Sequence, residues 1–468
     1  MNEEEDVEAY PNIQLNNFVE RFDDDEGRRV QGGDITAEEV SRLGVDVQGI
    51  PWEATPYTRE SYRLKRDMDY KSYYNRQQQV SEATTDVLQQ ATNCKEVPFD
   101  ARPYTFHRTW RRVRSSIIHF QLRNLLWAPT AHDVYYVDEN KVKHFNTVVG
   151  HRAQPDVLLD VSGETNAAVA PGLGPLAVCT LCAREGLVAA GGFGGELVVV
   201  RQGCSPQKVE VSIRVSNSDN GITNAIDIFK SRCGGAITLA CSNNDQFVRL
   251  YDVASGSFRQ VGEFSMPWAV NCTVASPSGK LLCCVGDDPE GLLVDPVSGN
   301  TVATLHGHYD FSFAAAWHPD GNVVATGNQD LTTRVYDVRL LSRPLHVLKA
   351  HIGAVRSLRF SPNGRTLMVA EPADYITLYD IASGFSTQQT IDVFGELAGV
   401  AFSPNGERLY AAISDAHYSS LVQFNASIAY DAPNTVGCWD PRRERIGETN
   451  LEDKRRPVID FVYPIATL

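Results

Sequence analysis

The chain has 468 residues, of which 43% are hydrophobic, so it can form a large core in up to about three domains. Its formal net charge of −15 disfavours sequence-independent binding to nucleic acid. It contains no run of about 18 apolar residues and does not begin with a basic, apolar leader, so we expect neither a membrane span nor secretion.

The first segments in chain order differ sharply in composition. Residues 1–44 are acidic and poor in apolar residues, and are predicted to be disordered. Residues 45–76 are rich in aromatics and arginine, with a helix predicted to start at Thr58, and are interpreted as a docking segment. This segment either packs on its own chain or recruits a partner, and the first alternative is favoured because buried aromatics usually pack locally. Residues 77–103 are interpreted as a polar linker.

An arginine cluster follows this linker. Its members are Arg102, Arg108, Arg111, Arg112 and Arg114. Such a cluster suits contacts with phosphate, but cations more often solvate a strand edge and discourage aggregation. A nucleic-acid-associated factor is therefore only a minor alternative.

A repeat with a period in the low forties runs through the second half of the chain. Its most regular feature is an aspartate that closes an apolar run, at spacings of 43, 42 and 43 residues. The closing aspartates are Asp252, Asp295, Asp337 and Asp380. Acidic residues in a preceding turn keep the same period, at Asp245, Asp288, Asp330 and Asp374. A fixed period of this length indicates propeller blades.

Each repeat unit has the pattern of four short strands. A strand ends in a Pro/Gly turn, as in LRFSPNGR, and an apolar strand, the acidic turn, another strand and a second turn such as ASG follow. The sequence therefore predicts an all-β fold, a seven-bladed β-propeller over residues 104–425, with a short C-terminal tail at 426–468. Blades are predicted to begin near residues 113, 173, 219, 265, 308, 351 and 395. Residues 104–112 are predicted to close the ring by pairing into the last blade.

The units resemble WD repeats. In the fifth blade, Gly307-His308 resembles the GH dipeptide of that family. The resemblance implies a hydrogen-bonded network that ties the strands of a blade to its turns. The implied members are His308, Thr326, Asp330 and Tyr336, with His351 and Asp374 in the sixth blade. Tyrosine replaces the usual tryptophan at Tyr336, and Ala370 replaces the hydroxyl residue of the sixth blade, so the networks are expected to be partial.

Several longer strings resemble one family of WD-repeat proteins from plants and fungi, which is largely uncharacterised. The strings are DVQGIPWE, HFQLRNLLWA, AAGGFGGEL, ITNAIDIF, SNND, GHYDFSFAAAWHPDGNVVATGNQD and AEPADY. The resemblance covers about residues 45–425. It implies an interaction protein of the nucleus or cytosol.

The sequence lacks the common catalytic motifs G-x-S-x-G, G-x-x-x-x-G-K-[ST] and H-E-x-x-H. Ten cysteines show no disulfide framework, and the pair Cys179 and Cys182 has no second ligand pair for zinc. Asp287, Asp288 and Glu290 form an acidic turn, for which solvation is favoured over calcium binding. We expect free thiols in a reducing compartment, no metal, no cofactor and no enzyme activity, with a propeller enzyme as a minor alternative.

A propeller presents loops on two faces that can bind other proteins. Residues just before the first strand of each blade are predicted to point to one of them, the upper face, where aromatic and arginine side chains are typical hot spots. The candidates are Trp268, Tyr309, Phe311, Arg356 and Glu396. For Trp268 and Phe311, packing between blades is an equal alternative. The main functional prediction is a scaffold that binds other proteins.

Residues 336–339 end a blade strand and also resemble the WD-x-R box of substrate receptors of cullin-RING ubiquitin ligases. The resemblance implies that Tyr336, Asp337 and Arg339 engage the propeller adaptor of the ligase. A second match at residues 439–442 is discounted because its proline would break a central strand. A substrate receptor is therefore the alternative function, and a contact between Arg339 and a neighbouring blade would favour a structural role instead.

The tail carries two basic groups separated by ten residues, a spacing that resembles a two-part nuclear import signal. The residues are Arg442, Arg443, Lys454, Arg455 and Arg456. We expect a nuclear or cytoplasmic location.

Overall fold

The computed structural model describes residues 33–76, 80–150, 154–162, 173, 175–202, 209–232, 235–254 and 257–427. The five basic residues of the predicted import signal lie outside the described residues. Within these ranges, no helix is long and apolar enough to cross a membrane.

The part of the chain that precedes the blades contains helices α1 (Ala37–Leu43), α2 (Arg59–Asp69) and α3 (Val80–Gln90) and the 3-10 turns Trp52–Ala54 and Phe99–Ala101. It also contains strands β1 (Ile35–Thr36), β2 (Lys95–Glu96) and β3 (Tyr104–Trp110). Helix α1 begins with a capping box between Thr36 and Glu39. Helix α2 begins at the N-cap Thr58, as the sequence predicts.

Five blades are separate four-stranded antiparallel sheets. The first blade contains β4 (Leu126–Trp127), β5 (Asp133–Asp138), β6 (Lys141–Asn146) and β7 (Asp156–Asp160). The second contains β8 (Val178–Arg184), β9 (Leu187–Gly192), β10 (Glu196–Arg201) and β11 (Val209–Arg214). The third contains β12 (Thr223–Lys230), β13 (Ile237–Asn243), β14 (Phe247–Ala254) and β15 (Ser257–Ser265).

The fourth blade contains β16 (Val270–Ala275), β17 (Leu282–Gly286), β18 (Asp288–Val294) and β19 (Thr301–Leu305). The fifth contains β20 (Ser312–Trp317), β21 (Val323–Asn328), β22 (Thr332–Asp337) and β23 (His346–Lys349). The remaining strands are β24 (Ser357–Phe360), β25 (Thr366–Ala370), β26 (Ala373–Asp380), β27 (Thr387–Phe402), β28 (Arg408–Ser414) and β29 (Ser420–Ala426).

The core lies between neighbouring blades. Strands β20, β21 and β22 are buried at every residue, because each blade packs between two others and shows both faces to apolar neighbours. Between the fourth and fifth blades, for example, Leu293 packs with Trp317, Val324 and Tyr336. Strands buried on both faces have continuous apolar runs rather than alternation, which is the pattern seen in the repeat units.

The sixth and seventh blades share one strand. The 16-residue strand β27 pairs with β26 through its first half and with β28 through its second half, so it is the outer strand of one blade and the inner strand of the next. The chain bends between the halves at Gly395, whose φ is 126°. A Cβ at Gly395 would meet the Ile413 side chain at 2.7 Å, so glycine is required there for both reasons.

The N-terminal part of the chain closes the ring. Strand β3 pairs antiparallel with β29, with Thr109 opposite Val422. Residues 104–112 therefore do close the last blade, as the sequence predicts. Strand β1 adds to the outside of β3, and β2 pairs parallel with the start of β27.

Two predicted boundaries differ from the structure. Residues 33–44, predicted as disordered, contain β1 and α1, because a capping box and pairing with β3 order this short piece. Residues 77–103, predicted as a polar linker, contain α3 and β2. Helix α3 is polar because it lies on the outside of the propeller. Among residues 85–90 of this helix, for which burial is described, Val87 is the buried residue.

Candidate functional site

The turns of the propeller lie on two faces. Turns between the second and third strands of a blade share one face, here called the upper face, with the links from the fourth strand to the next blade. Turns between the first and second strands, and between the third and fourth, share the lower face. Antiparallel order requires this, because successive turns alternate between the two ends of the strands.

Residues 46–76, here called the strap, lie across the upper face. The first anchor is Gln48, whose side chain donates to the Phe394 carbonyl at 2.8 Å and accepts from the Phe394 amide at 2.7 Å. Trp52 and Tyr62 pack on the Phe394 ring, with centroids 5.1 and 5.4 Å away. Gln48 and Tyr62 are buried. Of the two alternatives for this segment, packing on its own chain is the one observed.

The second anchor of the strap is Asp374, near the start of β26 beside the upper turn of the sixth blade. Arg63 donates to its carboxylate at 3.0 Å, and Arg66 donates through two nitrogens at 2.6 and 2.9 Å. The Asp374 side chain is fully buried, and the two arginine side chains are 11% and 13% exposed. The Arg63 guanidinium also lies 4.2 Å from the centroid of the Phe394 ring. Two desolvated cations thus share one carboxylate.

The strap ends over the fifth and fourth blades. Gln329 donates to the Tyr73 carbonyl at 2.9 Å, and the Asn75 amide donates to Asp310 at 2.9 Å. Arg76 reaches Asp288 of the fourth blade at 3.2 Å, with both side chains partly exposed. Asp288, part of the acidic turn considered for calcium, therefore holds an arginine.

Aromatic rings close the upper mouth of the central channel. The Tyr73 hydroxyl accepts from Arg356 at 3.1 Å, and the Tyr73 ring lies 6.3 Å from Phe120. His119 stacks on Phe120 at 5.2 Å and contacts Phe193 of the second blade at 5.3 Å. The rings join the strap to blades on opposite sides of the channel.

Acidification should weaken this closure. Burial, with Arg123 and Arg356 nearby, lowers the pKa of His119 to about 4. Between that value and the unfolded pKa of about 6.5, the unfolded chain binds a proton that the folded chain does not. Stability should therefore fall as pH falls through this window, by less than about 1.4 kcal/mol per pH unit because His119 is partly exposed.

Urea unfolding at pH 7.5 and pH 5.0 measures this effect. We expect a smaller loss of stability between the two pH values in His119→Gln than in the wild type. His306→Gln is the matched control, because the His306 side chain is 61% exposed. Equal pH dependence of all three proteins would contradict the assignment.

Four of the five predicted partner-binding residues of the upper face contact other parts of the chain through their side chains. Trp268 is 8% exposed in the core between the third and fourth blades, which confirms the alternative of a packing role. Arg356 is 3% exposed beneath the strap. Tyr309 donates to a carboxylate of α3 at 3.0 Å, and Glu396 accepts from an arginine at 3.1 Å. Phe311 is half-buried.

The fifth blade contains the network that the sequence predicts. His308 Nδ1 lies 2.9 Å from Asp330, and Nε2 lies 2.8 Å from the Thr326 hydroxyl. Burial lowers the pKa of His308, which favours a neutral ring that donates to Asp330 and accepts from Thr326. The Tyr336 hydroxyl donates to the His306 carbonyl at 3.0 Å. Because the network side chains are buried, they support the fold and are closed to a substrate.

The sixth blade departs from the predicted network. His351 Nδ1 lies 3.2 Å from Glu371, not from Asp374, which is bound by the strap. The Glu371 carboxylate also accepts from the amides of Ile352 and Gly353 at 2.8 and 2.7 Å. Glu371 directly follows β25, and its side chain is long enough to cap the loop before β24.

The WD-x-R-like box is only partly accessible. Tyr336 and Asp337 are 0% and 3% exposed. Arg339, in the lower-face turn after β22, is 40% exposed and donates from Nε and Nη2 to Asp337, each at 2.8 Å. The neighbouring Leu340 is 43% exposed. Arg339 is thus oriented by its own blade and faces outward.

One hollow lies in the central channel beneath the strap, and another lies between two blades. The central channel holds a cavity of about 50 Å³, and a groove of about 580 Å³ between the first and second blades contains the pair Asp133 and His144, 2.9 Å apart. Within the described ranges, no group of three or more His, Cys, Asp or Glu side chains is arranged to hold a metal. Cys179 and Cys182 are free and buried, and burial raises the pKa of both thiols.

Sequence reasoning did not identify the residues that fasten the strap. A helical signal for part of them exists, because Arg59, Arg63 and Arg66 lie on one face of α2. Arg59 reaches Asp392 at 2.7 Å from that face. Gln48 has no comparable signal.

Residues 299–337 and 342–380 match the WD domain, G-beta repeat family. Each stretch covers the outer strand of one blade and the first three strands of the next. Over 338 residues the chain is 24% identical to the uncharacterized protein C4G3.03 of Schizosaccharomyces pombe. The match covers 67% of this chain and 90% of that protein. The chain is 33% identical over 140 residues to WD repeat-containing protein VIP3 of Arabidopsis thaliana, and the match covers 27% of this chain and 43% of that protein.

The chain is also 26% identical over 190 residues to nuclear distribution protein PAC1 of Coccidioides posadasii, with 36% of this chain and 40% of that protein covered. Among solved structures, a chain in the crystal structure of the mitotic checkpoint complex has a TM-score of 0.55 and 19% identity, covering 71% of this chain and 95% of that chain. This likeness concerns the fold alone. The chain therefore folds as a β-propeller, and residues 299–337 and 342–380 of it match the WD repeat.

Proposed function

We propose that the chain is a non-enzymatic scaffold that binds partner proteins through the lower face of its propeller. The observation that carries the proposal is the strap, which lies across the upper face, is fastened at Phe394 and Asp374, and covers Arg356. The fold and the repeat family support protein binding in general. The free cysteines among the described residues support a nuclear or cytoplasmic location.

Exposed aliphatic side chains support the choice of the lower face. Val297 in the fourth blade is 62% exposed, and Leu340 in the fifth blade is 43% exposed. Both lie in turns between the third and fourth strands, at equivalent places in adjacent blades. Apolar groups within a polar rim are the usual core of a protein interface.

The geometry of the hollows supports the absence of catalysis. The channel cavity of about 50 Å³ is far below the roughly 300–1,000 Å³ of typical small-molecule sites. In the larger groove, the Thr130 hydroxyl donates its hydrogen bond to the Asp133 carboxylate at 2.7 Å rather than to His144. A hydroxyl that acts as a nucleophile would need to donate its hydrogen bond to the histidine, which would serve as the base.

Quantitative affinity purification from cells tests the binding face. In the double variant Val297→Asp, Leu340→Asp, we expect the amount of each copurifying protein to fall at least about tenfold. The reason is that charges in the core of an interface weaken binding by several kcal/mol. Met68→Asp is the matched control, since Met68 is 78% exposed on the outer side of the strap. Loss of the same proteins from the control, or no loss from the double variant, would contradict the lower-face proposal.

A substrate receptor of a cullin-RING ubiquitin ligase is a second candidate. It is favoured by Arg339, which is oriented by Asp337 and exposed on the lower face beside Leu340. The same purification with Arg339→Ala distinguishes the two functions. A receptor would lose the ligase adaptor and keep its other partners, whereas a general scaffold would bring down no ligase component.

A further inference from the structure

The central channel contains a cation that the scaffold function does not use. Arg359, on the first strand of the sixth blade, lines the channel cavity. Its guanidinium lies 4.9 Å from the centroid of the Trp127 ring and donates to the Leu358 carbonyl at 2.9 Å and to the Asn124 side chain. These contacts orient the group, but none of them carries a negative charge.

The charge of Arg359 is not balanced by a salt bridge with any described residue. Asp227 is a carboxylate whose field acts on Arg359. However, Asp227 already accepts from Arg184 at 2.8 Å and from the Ala275 amide at 2.8 Å. Arg184 also repels Arg359, and burial lowers the pKa of Arg359 below its ordinary value. A partly buried cation without an ionic partner is stabilised when an anion joins it.

The cavity suits a small anion. Its volume of about 50 Å³ exceeds the roughly 10–15 Å³ that one water needs and is too small for a nucleotide. Its wall includes the polar side chains of Asn124, Thr273 and Ser357, which can hydrogen-bond an oxyanion. It also includes the carboxylate of Asp227, whose charge is balanced by Arg184. A guanidinium fork matches the oxygens of phosphate through two parallel N–H bonds.

We propose that the channel binds a phosphate-class oxyanion at Arg359. Entry is from the lower face, because Tyr73 and its neighbouring rings cover Arg356 at the upper mouth. Arg184, whose side chain is 45% exposed, pairs with Asp227 and lies close enough to act on Arg359, so it balances the charge of this carboxylate beside the site. The site is independent of the partner surface proposed on the lower-face turns.

Isothermal titration calorimetry of the full chain with sodium phosphate, at constant ionic strength with chloride as the blank, tests the site. We expect saturable binding at one site in the wild type and at least tenfold weaker binding in Arg359→Gln. Arg343→Gln is the matched control, because Arg343 is an exposed arginine in a lower-face turn, and it should bind as the wild type does. Arg359→Lys keeps the charge without the fork and should bind with intermediate affinity.

A thermal melt of each variant without phosphate shows whether it is folded. If Arg359→Gln does not fold, Arg184→Gln on the exposed rim replaces it and should weaken phosphate binding severalfold. Wild-type heats equal to the chloride blank, or full binding by the folded Arg359→Gln, would overturn the proposal. O-phosphoserine as a second titrant identifies the source. Binding as tight as phosphate indicates a group presented on a protein, and binding of phosphate alone indicates the free ion.

Discussion

Asp374→Asn should release the strap from the upper face and lower the free energy of unfolding by about 3–5 kcal/mol, the cost of breaking a buried ion pair. The carboxylate that it removes is fully buried and pairs with Arg63 and Arg66, which are themselves nearly buried. Arg63 keeps a second, partly exposed carboxylate, that of Asp392 at 3.5 Å. Asparagine is the sharpest substitution, because Asp374 has a φ of 68° and asparagine tolerates this left-handed region. The loss therefore reports the charge rather than backbone strain.

Two measurements separate strap release from general damage. Urea unfolding gives the change in stability, and limited trypsin digestion reports on Arg63 and Arg66 directly, because trypsin cleaves after arginine. We expect rapid cleavage at these sites in Asp374→Asn and protection in the wild type. Asp288→Asn is the matched control, since its partner Arg76 is 41% exposed and such pairs contribute at most about 1 kcal/mol. Protection of both arginines in Asp374→Asn would show that the strap is held elsewhere.

The blades could be predicted because each is a local unit. Strands that pair within a blade are separated by short turns, so the closing aspartates and the Pro/Gly turns repeat with the period of the structure. The same locality made the network of His308, Thr326 and Asp330 predictable, since all three lie within one repeat. Ring closure was also predictable, because an open ring leaves an edge and β3 is a strand-like segment just before the first blade.

The contacts of the strap were not predictable from spacing. Arg63 and Asp374 are 311 residues apart, and their pairing depends on how the strap crosses the upper face. For the same reason, Asp374 was assigned by its place in the repeat to a histidine that Glu371 binds instead. Local order predicts what a blade does within itself, whereas a long-range contact needs the geometry of the whole ring.

Tyrosine occupies the position where the repeat usually has tryptophan, and its hydroxyl makes a hydrogen bond in two blades. The hydroxyls of Tyr336 and Tyr379, at equivalent places in the fifth and sixth blades, donate to the carbonyls of His306 and Lys349 at 3.0 and 3.3 Å. Each bond joins the third strand of one blade to the chain at the end of the outer strand of the preceding blade. The polar tip of each buried ring thus ties its blade to the one before it.

Tyr104→Ala should open the ring at its closure, with a loss of about 3–5 kcal/mol in the free energy of unfolding. Tyr104 is fully buried in β3, its ring lies 5.6 Å from that of Phe402, and its hydroxyl donates to the Gly406 carbonyl at 2.7 Å. The Gln389 side chain also bonds both the amide and the carbonyl of Tyr104, at 3.0 and 2.7 Å. Truncation leaves a cavity where the closing strand meets two blades.

Neighbouring substitutions make this test specific. Tyr104→Phe keeps the ring and should cost about 1 kcal/mol for the lost hydrogen bond. Thr105→Ala, at the adjacent exposed position, should change stability by less than about 0.5 kcal/mol. Hydrogen exchange should quicken in β29 for Tyr104→Ala, because β3 is its outer partner. If Tyr104→Ala were as stable and as slow to exchange as Thr105→Ala, packing at Tyr104 would not be what closes the ring, and the backbone ladder between β3 and β29 would have to suffice.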